Sequence, residues 1–297
     1  MIKSLNDLVE QAKHKEKKKI AVAAAEDLDV LEVVEEAVKM EMAEFILIGD
    51  KAKIEKIAAE NNKKIACQII DEPVQKKAAE KAVELVLNGE AGALMKGLLH
   101  TGTFLKAVLN KEKGLNKGRL VSQISVFDKE YGEGLQLLTD CAMAIQPSID
   151  EKKQIIENAV YLAQKIGYDK PKVALISALE IVNPAIPDTV DAAILSKMAD
   201  RGQIKDAIVD GPFALDNAIS LEAARHKGID SAVAGQADVL VVPNLQVGNV
   251  LTKALTYYAH KEVAAAVIGA GAPIIMTSRT DTVRDKLLSV VLANYIS

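Results

Sequence analysis

Along this chain, short apolar runs alternate with longer stretches in which apolar residues recur at intervals of three and four. The runs KIAVAA, EFILIG, KIACQII, ALMKG, RLVSQISVF, KVALISA, DAIVDG, DVLVVP and PIIMTS have the length and side-chain content of strands. Several are almost continuously apolar, as parallel strands covered on both faces are. Between them DVLEVVEEAVKM, PVQKKAAEKAVELVL, EKKQIIENAVYLAQKIG and ALDNAISLEAARHKG carry the helical period, and the last two close on glycine as helices commonly do. The pattern predicts a layered α/β/α fold with mostly parallel strands. In such sheets ligands bind beyond the carboxyl ends of the strands, so the loops that follow strands are the places to look for chemistry.

Length adds a division to this picture. At 297 residues the chain exceeds what one simple core usually holds, which predicts two lobes. The Gly- and Pro-containing stretch YGEGLQLLTDCAMAIQPSIDEKKQ, residues 131–154, is the expected boundary. No internal repeat or low-complexity tract is visible. Apolar residues make up 49% and charged residues 26%, ordinary for a globular enzyme, and no apolar run approaches the roughly 20 residues that span a bilayer. The start, MIKSLNDLVEQAKHKEKKK, lacks the apolar centre of a secretory signal. A cytoplasmic protein with no membrane partner is expected. A net charge of −4, without a basic stripe interleaved with aromatics, gives no reason to expect nucleic acid. KHKEKKK at 13–19 reads as the solvated end of a helix. Cys67 and Cys141 lie outside any metal-like spacing and read as small core hydrophobes, so neither a disulfide nor a metal site is predicted.

The loops after the strands are rich in polar residues, yet most have a bland account. Pro184 and Pro187 stiffen a turn, Asp188 can cap a helix, Gly211 and Pro212 form a tight turn, and Asn244 can cap the helix LQVGNVLTKAL. Of four scattered histidines, His14, His226 and His260 sit among charged residues. His100 opens HTGTFLKAVL, where Thr101 or Thr103 can cap the next helix and Lys106 lies about one turn inside it. VIGAGAP at 267–273 lacks the third glycine of a dinucleotide loop and reads as helix, turn, strand, the wrong order for one. Walker, nucleophile-elbow and H-E-x-x-H motifs are absent.

PIIMTSRTDTVRDK, residues 273–286, differs in kind. TVRD at 282–285 fits a capping box, with Thr282 at the cap and Asp285 at the third helical position. That explains Thr282 and Asp285 and leaves Ser278 and Arg279 without a structural task. If the turn faces a cleft, Arg279 offers a fork of donors suited to phosphate, and the next helix points its positive end the same way. Leu287, Leu288, Val291 and Leu292 form the apolar face expected to pin that helix to the sheet.

Taken in order, ALMKGLLHTGTFLKAVLNKE, SQISVFD, LLTDCAM, ALISALEIVNPAIPDTVDAA, DGPFALDNAIS, ADVLVVPNLQVGN and PIIMTSRTDTVRDK resemble the phosphate acyltransferases over nearly the whole chain, and most closely their phosphate butyryltransferase branch. The resemblance implies an α/β fold like that of the isocitrate and isopropylmalate dehydrogenases. One lobe would comprise residues 1–133 plus 273–297, the other residues 134–272, with an active cleft between them and assembly into homodimers or larger homo-oligomers. It implies transfer of a short acyl group, butyryl or branched-chain, between coenzyme A and phosphate. Acyl-CoA and phosphate are then substrates, and neither a metal nor a cofactor is required. It assigns catalytic roles to Asp285 as base, a role that asks for burial in the closed cleft, and to Ser278 and Arg279 as stabilisers of developing charge. It assigns substrate binding to Lys96, His100, Thr101, Lys106, Pro243, Asn244, Gly248 and Asn249. Two positions depart from the acetyl branch: Lys106, and Tyr257 or its neighbour, stand where that branch carries arginine. An acetyl-preferring enzyme is one alternative. A second is a decarboxylating dehydrogenase that recruits Asp188, Asp191 and Asp216 to a divalent metal, and a third is a catalytically silent scaffold.

Overall fold

The computed structural model describes residues 1–278 and 280–297; Arg279 lies outside the described residues. In chain order the elements begin α1 (Leu5–Ala12), β1 (Lys19–Ala23), α2 (Leu28–Lys39), β2 (Glu44–Gly49), α3 (Lys51–Glu60), β3 (Gln68–Asp71), α4 (Gln75–Leu87), β4 (Ala93–Lys96) and α5 (Thr101–Val108). They continue with β5 (Ser122–Asp128), β6 (Leu135–Thr139), α6 (Ile149–Lys165), β7 (Lys172–Ile176), α7 (Pro187–Asp200), β8 (Ile208–Phe213), α8 (Leu215–Ile219), α9 (Leu221–His226), β9 (Val239–Val241) and α10 (Leu245–Tyr257). The chain ends with β10 (Ala264–Ile268), β11 (Ile274–Ile275) and α11 (Val283–Ile296).

The chain divides into two compact units, Asn6–Arg119 with Val263–Ser297, and Met1–Leu5 with Leu120–Glu262. The boundaries set from sequence, 133/134 and 272/273, fall elsewhere. The antiparallel pairing of β5 with β6 holds residues 122–139 in one unit, and β10 packs against α11 in the other.

In the first unit the strands run in the order β3-β2-β1-β4-β11-β10. All are parallel except β10, which pairs antiparallel with β11. The apolar interiors of β1, β2 and β4 are buried, and α2, α4 and α11 pack on strands of this sheet or on each other. β1 and β4 align Ala23 with Lys96, and β4 and β11 align Met95 with Ile275. The carboxyl ends of β1, β4 and β11 therefore open on one edge, and their loops begin side by side. Pairing continues past β4, where Gly97 N–H donates to Ala23 O and Leu98 N–H to Ala24 O at 2.9 and 2.7 Å. A Cβ at Gly97 would lie 2.1 Å from Ala24 O, so this close passage requires glycine.

The second unit orders its strands β5-β6-β9-β7-β8, with only β5–β6 antiparallel. α6 lies on β5, β6 and β9, and α7 on β7 and β8. Ser148 and Glu151 form a reciprocal capping box that starts α6, and Gly167 at φ 99° follows its end, as the closing glycine predicted.

Several local expectations need correction. LQLLT, inside the stretch read as a boundary, is the fully buried strand β6; flanking glycines and a proline disguised it as linker. AAAVI is strand β10 where helix was expected, because its antiparallel partner β11 overrides the helical preference of alanine. VIGAGAP thus runs strand, turn, strand. The single helix expected over 214–228 is broken into α8 and α9 by Ser220, which leaves helical geometry to cap Ala223 N–H. Gly211 and Pro212 lie inside β8 at a register shift. The N-cap of α5 is His100, without a side-chain bond, and that of α7 is Ile186. α11 is buried on all sides from Lys286 to Asn294, well beyond the one face expected.

Candidate active site

Three loops of the first unit, those after β1, β4 and β11, bear on the chemistry. After β11 the chain turns at Ser278, which is exposed and held by its neighbours. Ser278 N–H donates to Asp281 Oδ2 at 2.6 Å, Asp281 N–H returns a bond to Ser278 O, and the Ser278 and Thr280 hydroxyls stand 3.0 Å apart. Thr282 then caps α11 as expected: Asp285 N–H donates to Thr282 Oγ1, and that hydroxyl donates to Asp285 Oδ2 at 2.7 Å. The other carboxylate oxygen, Oδ1, accepts Val263 N–H at 2.9 Å. Asp285 is half-buried. Each of its oxygens keeps a second lone pair, so the cap leaves acceptor capacity for a substrate proton.

Ser278 and Lys96 line one open pocket with Asp27, Asp29, Thr277 and Lys286, against Val30 and Met95. The elements explain the convergence. Lys96 ends β4, Asp27 caps α2 by accepting Val30 N–H, Asp29 lies in the first turn of α2, and Lys286 lies in the first turn of α11. Lys96 Nζ donates to Gly97 O and Leu99 O at 3.2 and 3.3 Å. Lys286, 6% exposed, pairs through Nζ with Asp29 Oδ2 at 2.8 Å. Asp27, Asp29 and Lys286 were not found from sequence. The available signal was a lysine set in the apolar run DKLLSVVLA, since a buried lysine needs a carboxylate partner. His100 and Thr101 start α5 and Lys106 lies in its last turn; all three are exposed.

The second unit carries the other predicted binding residues. Asn244 caps α10, its Oδ1 accepting Val247 N–H at 3.1 Å. Pro243 precedes it, half-buried beside Asp188 and Asp191. Gly248 is buried and Asn249 exposed in the first turns of the same helix. Asp188 accepts the Ser177 hydroxyl at 2.6 Å, Asp191 pairs with Lys152, and Asp216 with Lys227. The three carboxylates weighed as metal ligands thus have separate partners. Among the described residues no group of three or more His, Cys, Asp or Glu is placed to hold a metal ion, and no described helix is long and apolar enough to cross a membrane. Cys141 is 2% exposed, and burial pushes its thiol up to about 11, which keeps the sulfur protonated and a poor nucleophile.

Solved structures place this fold. A branched-chain phosphotransacylase from Enterococcus faecalis matches with a TM-score of 0.83 and 33% identity over 94% of this chain and 98% of that one. 4-Hydroxythreonine-4-phosphate dehydrogenase from Klebsiella pneumoniae shares the fold at a TM-score of 0.59 and 14% identity, over 95% and 99% of the two chains. The molecule is therefore an α/β protein of the phosphotransacylase type on a dehydrogenase-like framework. Its sequence narrows the class. The profile described as phosphate acetyl/butaryl transferase matches residues 4–80 and 54–294, and the phosphate butyryltransferase of Clostridium acetobutylicum is 48% identical over 298 residues, covering 100% of this chain and 99% of its own. This chain belongs to the phosphate acetyl/butaryl transferase family.

Proposed function

We propose that this chain transfers a short acyl group, butyryl or branched-chain, between coenzyme A and inorganic phosphate, converting acyl-CoA and phosphate to acyl phosphate and free CoA and back. The observation that carries this reading is the full-length 48% identity to a phosphate butyryltransferase. The structural match to a branched-chain phosphotransacylase supports the same acyl class. The family resemblance adds a cytoplasmic location and assembly as a homodimer or larger homo-oligomer.

The reaction follows from the chemistry of Ser278, Arg279 and Asp285. In the direction of thioester synthesis Asp285 accepts the thiol proton of CoA through a free lone pair. The thiolate attacks the acyl carbon, the carbon–sulfur bond forms, and the bond to the phosphate oxygen breaks. Arg279 balances the charge on the departing phosphate and Ser278 donates a hydrogen bond to the developing oxyanion, each worth about 2 to 4 kcal/mol in the transition state. Lys96 and Ser278, lining one pocket, would hold the phosphate end, with His100, Thr101 and Lys106 on the helix that follows. Pro243, Asn244, Gly248 and Asn249 would bind substrate at the start of α10. Juxtaposing the two substrates supplies much of the remaining acceleration. Transfer is direct, so Cys141 and Ser278 carry no acyl group, and no step calls on a metal or redox cofactor.

Trapping with hydroxylamine tests the proposal. Purified protein supplied with butyryl-CoA and phosphate should yield butyryl hydroxamate, faster than acetyl hydroxamate from acetyl-CoA. Absence of any hydroxamate would reject the activity, and preference for acetyl-CoA would reject the acyl assignment alone.

A further inference from the structure

Asp140, at the carboxyl end of β6, is only 3% exposed and has no part in the reaction above. Its carboxylate collects four backbone donors. Oδ1 accepts the N–H groups of Gln123, Ala142 and Met143 at 3.1, 3.0 and 3.1 Å, and Oδ2 accepts Ala144 N–H at 2.7 Å. One bond comes from the neighbouring strand and three come from consecutive amides, so the loop after β6 is wound around this side chain. Burial pushes the carboxyl up while the amide donors pull it back. Such a group is costly to bury and has been given a complete set of partners.

What the loop touches gives the arrangement its meaning. Asp140 O lies 2.2 Å from where a Cβ at Gly248 would stand, so the first turns of α10 rest directly on the Asp140 backbone. Two further bonds tie the same parts together: Leu245 N–H donates to Ile145 O at 3.2 Å, and Val242 N–H to Thr139 O at 2.8 Å. The segment 242–248 is therefore seated on residues 139–145, whose shape the Asp140 carboxylate sets.

We propose that Asp140 is a positioning residue, which holds the start of α10 at the height and angle that let Asn244, Gly248 and Asn249 meet substrate. The inference rests on the reading of that segment as substrate-binding. Asn at position 140 keeps one acceptor oxygen and turns an amino group on amides that need an acceptor, so the loop loosens and α10 loses its seat. Gly248→Ala disturbs the same contact from the other side. Ser278, Arg279 and Asp285 are left as they are.

Asp140→Asn should raise the KM for butyryl-CoA, for phosphate, or for both about tenfold, with kcat within about threefold of the parent. Hydrogen exchange should quicken at Ala142–Ala144 and also at Val247 and Gly248. In Gly248→Ala it should quicken at Ala142–Ala144, since the coupling runs both ways. Unchanged KM values for both substrates, or exchange that quickens at Ala142–Ala144 and leaves Val247 and Gly248 at the parent rate, would overturn the proposal. Should Asp140→Asn not fold, Gly248→Ala decides: parent-like exchange at Ala142–Ala144 overturns it. If the parent protein makes no acyl phosphate, the reading of function has failed, and the exchange data still judge the coupling separately.

Discussion

The turn at 278–282 and the start of α10 are both read as substrate-contacting, yet they are held in opposite ways. In the turn Ser278, Thr280 and Thr282 are exposed and held by short-range bonds, Ser278 with Asp281 and Thr280, and Thr282 with Asp285. The start of α10 adds to its Asn244 cap a buried foundation more than a hundred residues earlier in sequence, Asp140 and the loop it organises. The contrast teaches that a segment armed with reactive groups can be specified by local chemistry, whereas one that presents backbone and small polar groups to a substrate needs a seat from elsewhere in the fold. Damage to the first should therefore show in the chemical step, and damage to the second in substrate affinity.

Substitutions in the turn and at the helix start it leads into are expected to have the largest effect. Arg279→Ala and Asp285→Asn should each lower turnover at least about a hundredfold in a steady-state assay, while circular dichroism reports an intact fold. Near-parental rates in both would remove the chemical role from the turn and erase the contrast. Next comes the pair beneath it. Lys286 is buried and its partner Asp29 is half in water, so the two ends are unequal. Asp29→Ala strands a buried cation and should cost about 1 to 2 kcal/mol in urea unfolding, whereas Lys286→Met replaces the pair with packing and should cost less. The reverse order would show that the Lys286 ammonium does more at this position than pair with Asp29. The smallest effect is expected from Thr282→Ala, about 1 kcal/mol of stability through the lost cap. A melting measurement on this variant also serves as the control for Asp285, whose amide uses the same cap.

Legibility from sequence divides along the same line. Thr282 and Asn244 were readable as caps, because such bonds span three residues and leave a spaced signature; the reciprocal half of the expected box does not form, since the Asp285 carboxylate accepts the Thr282 hydroxyl and Val263 N–H. The parallel strands of both units were readable from continuous apolar runs. β6 and β10 were not: LQLLT lies between glycines and a proline, and AAAVI has the composition of a helix, so only their partners β5, β9 and β11 make them strands. Asp29 and Lys286 are 257 residues apart, and Asp140 and Gly248 meet through backbone. The apolar run around Lys286 signals that a carboxylate is needed without saying which one, and no local pattern announces the meeting of Asp140 and Gly248. The candidate residues on α5 and α10 came from family resemblance, since an exposed His100 or Asn249 carries no physical signal in a single sequence.

Direct transfer between sulfur and phosphate oxygen is the claim on which the account rests, and release of free thiol from butyryl-CoA with and without phosphate tests it most directly. The account predicts that no thiol appears until phosphate is added, after which one acyl phosphate forms for each thiol released. A rapid burst of one thiol per chain in the absence of phosphate would reveal an acyl-enzyme and contradict it.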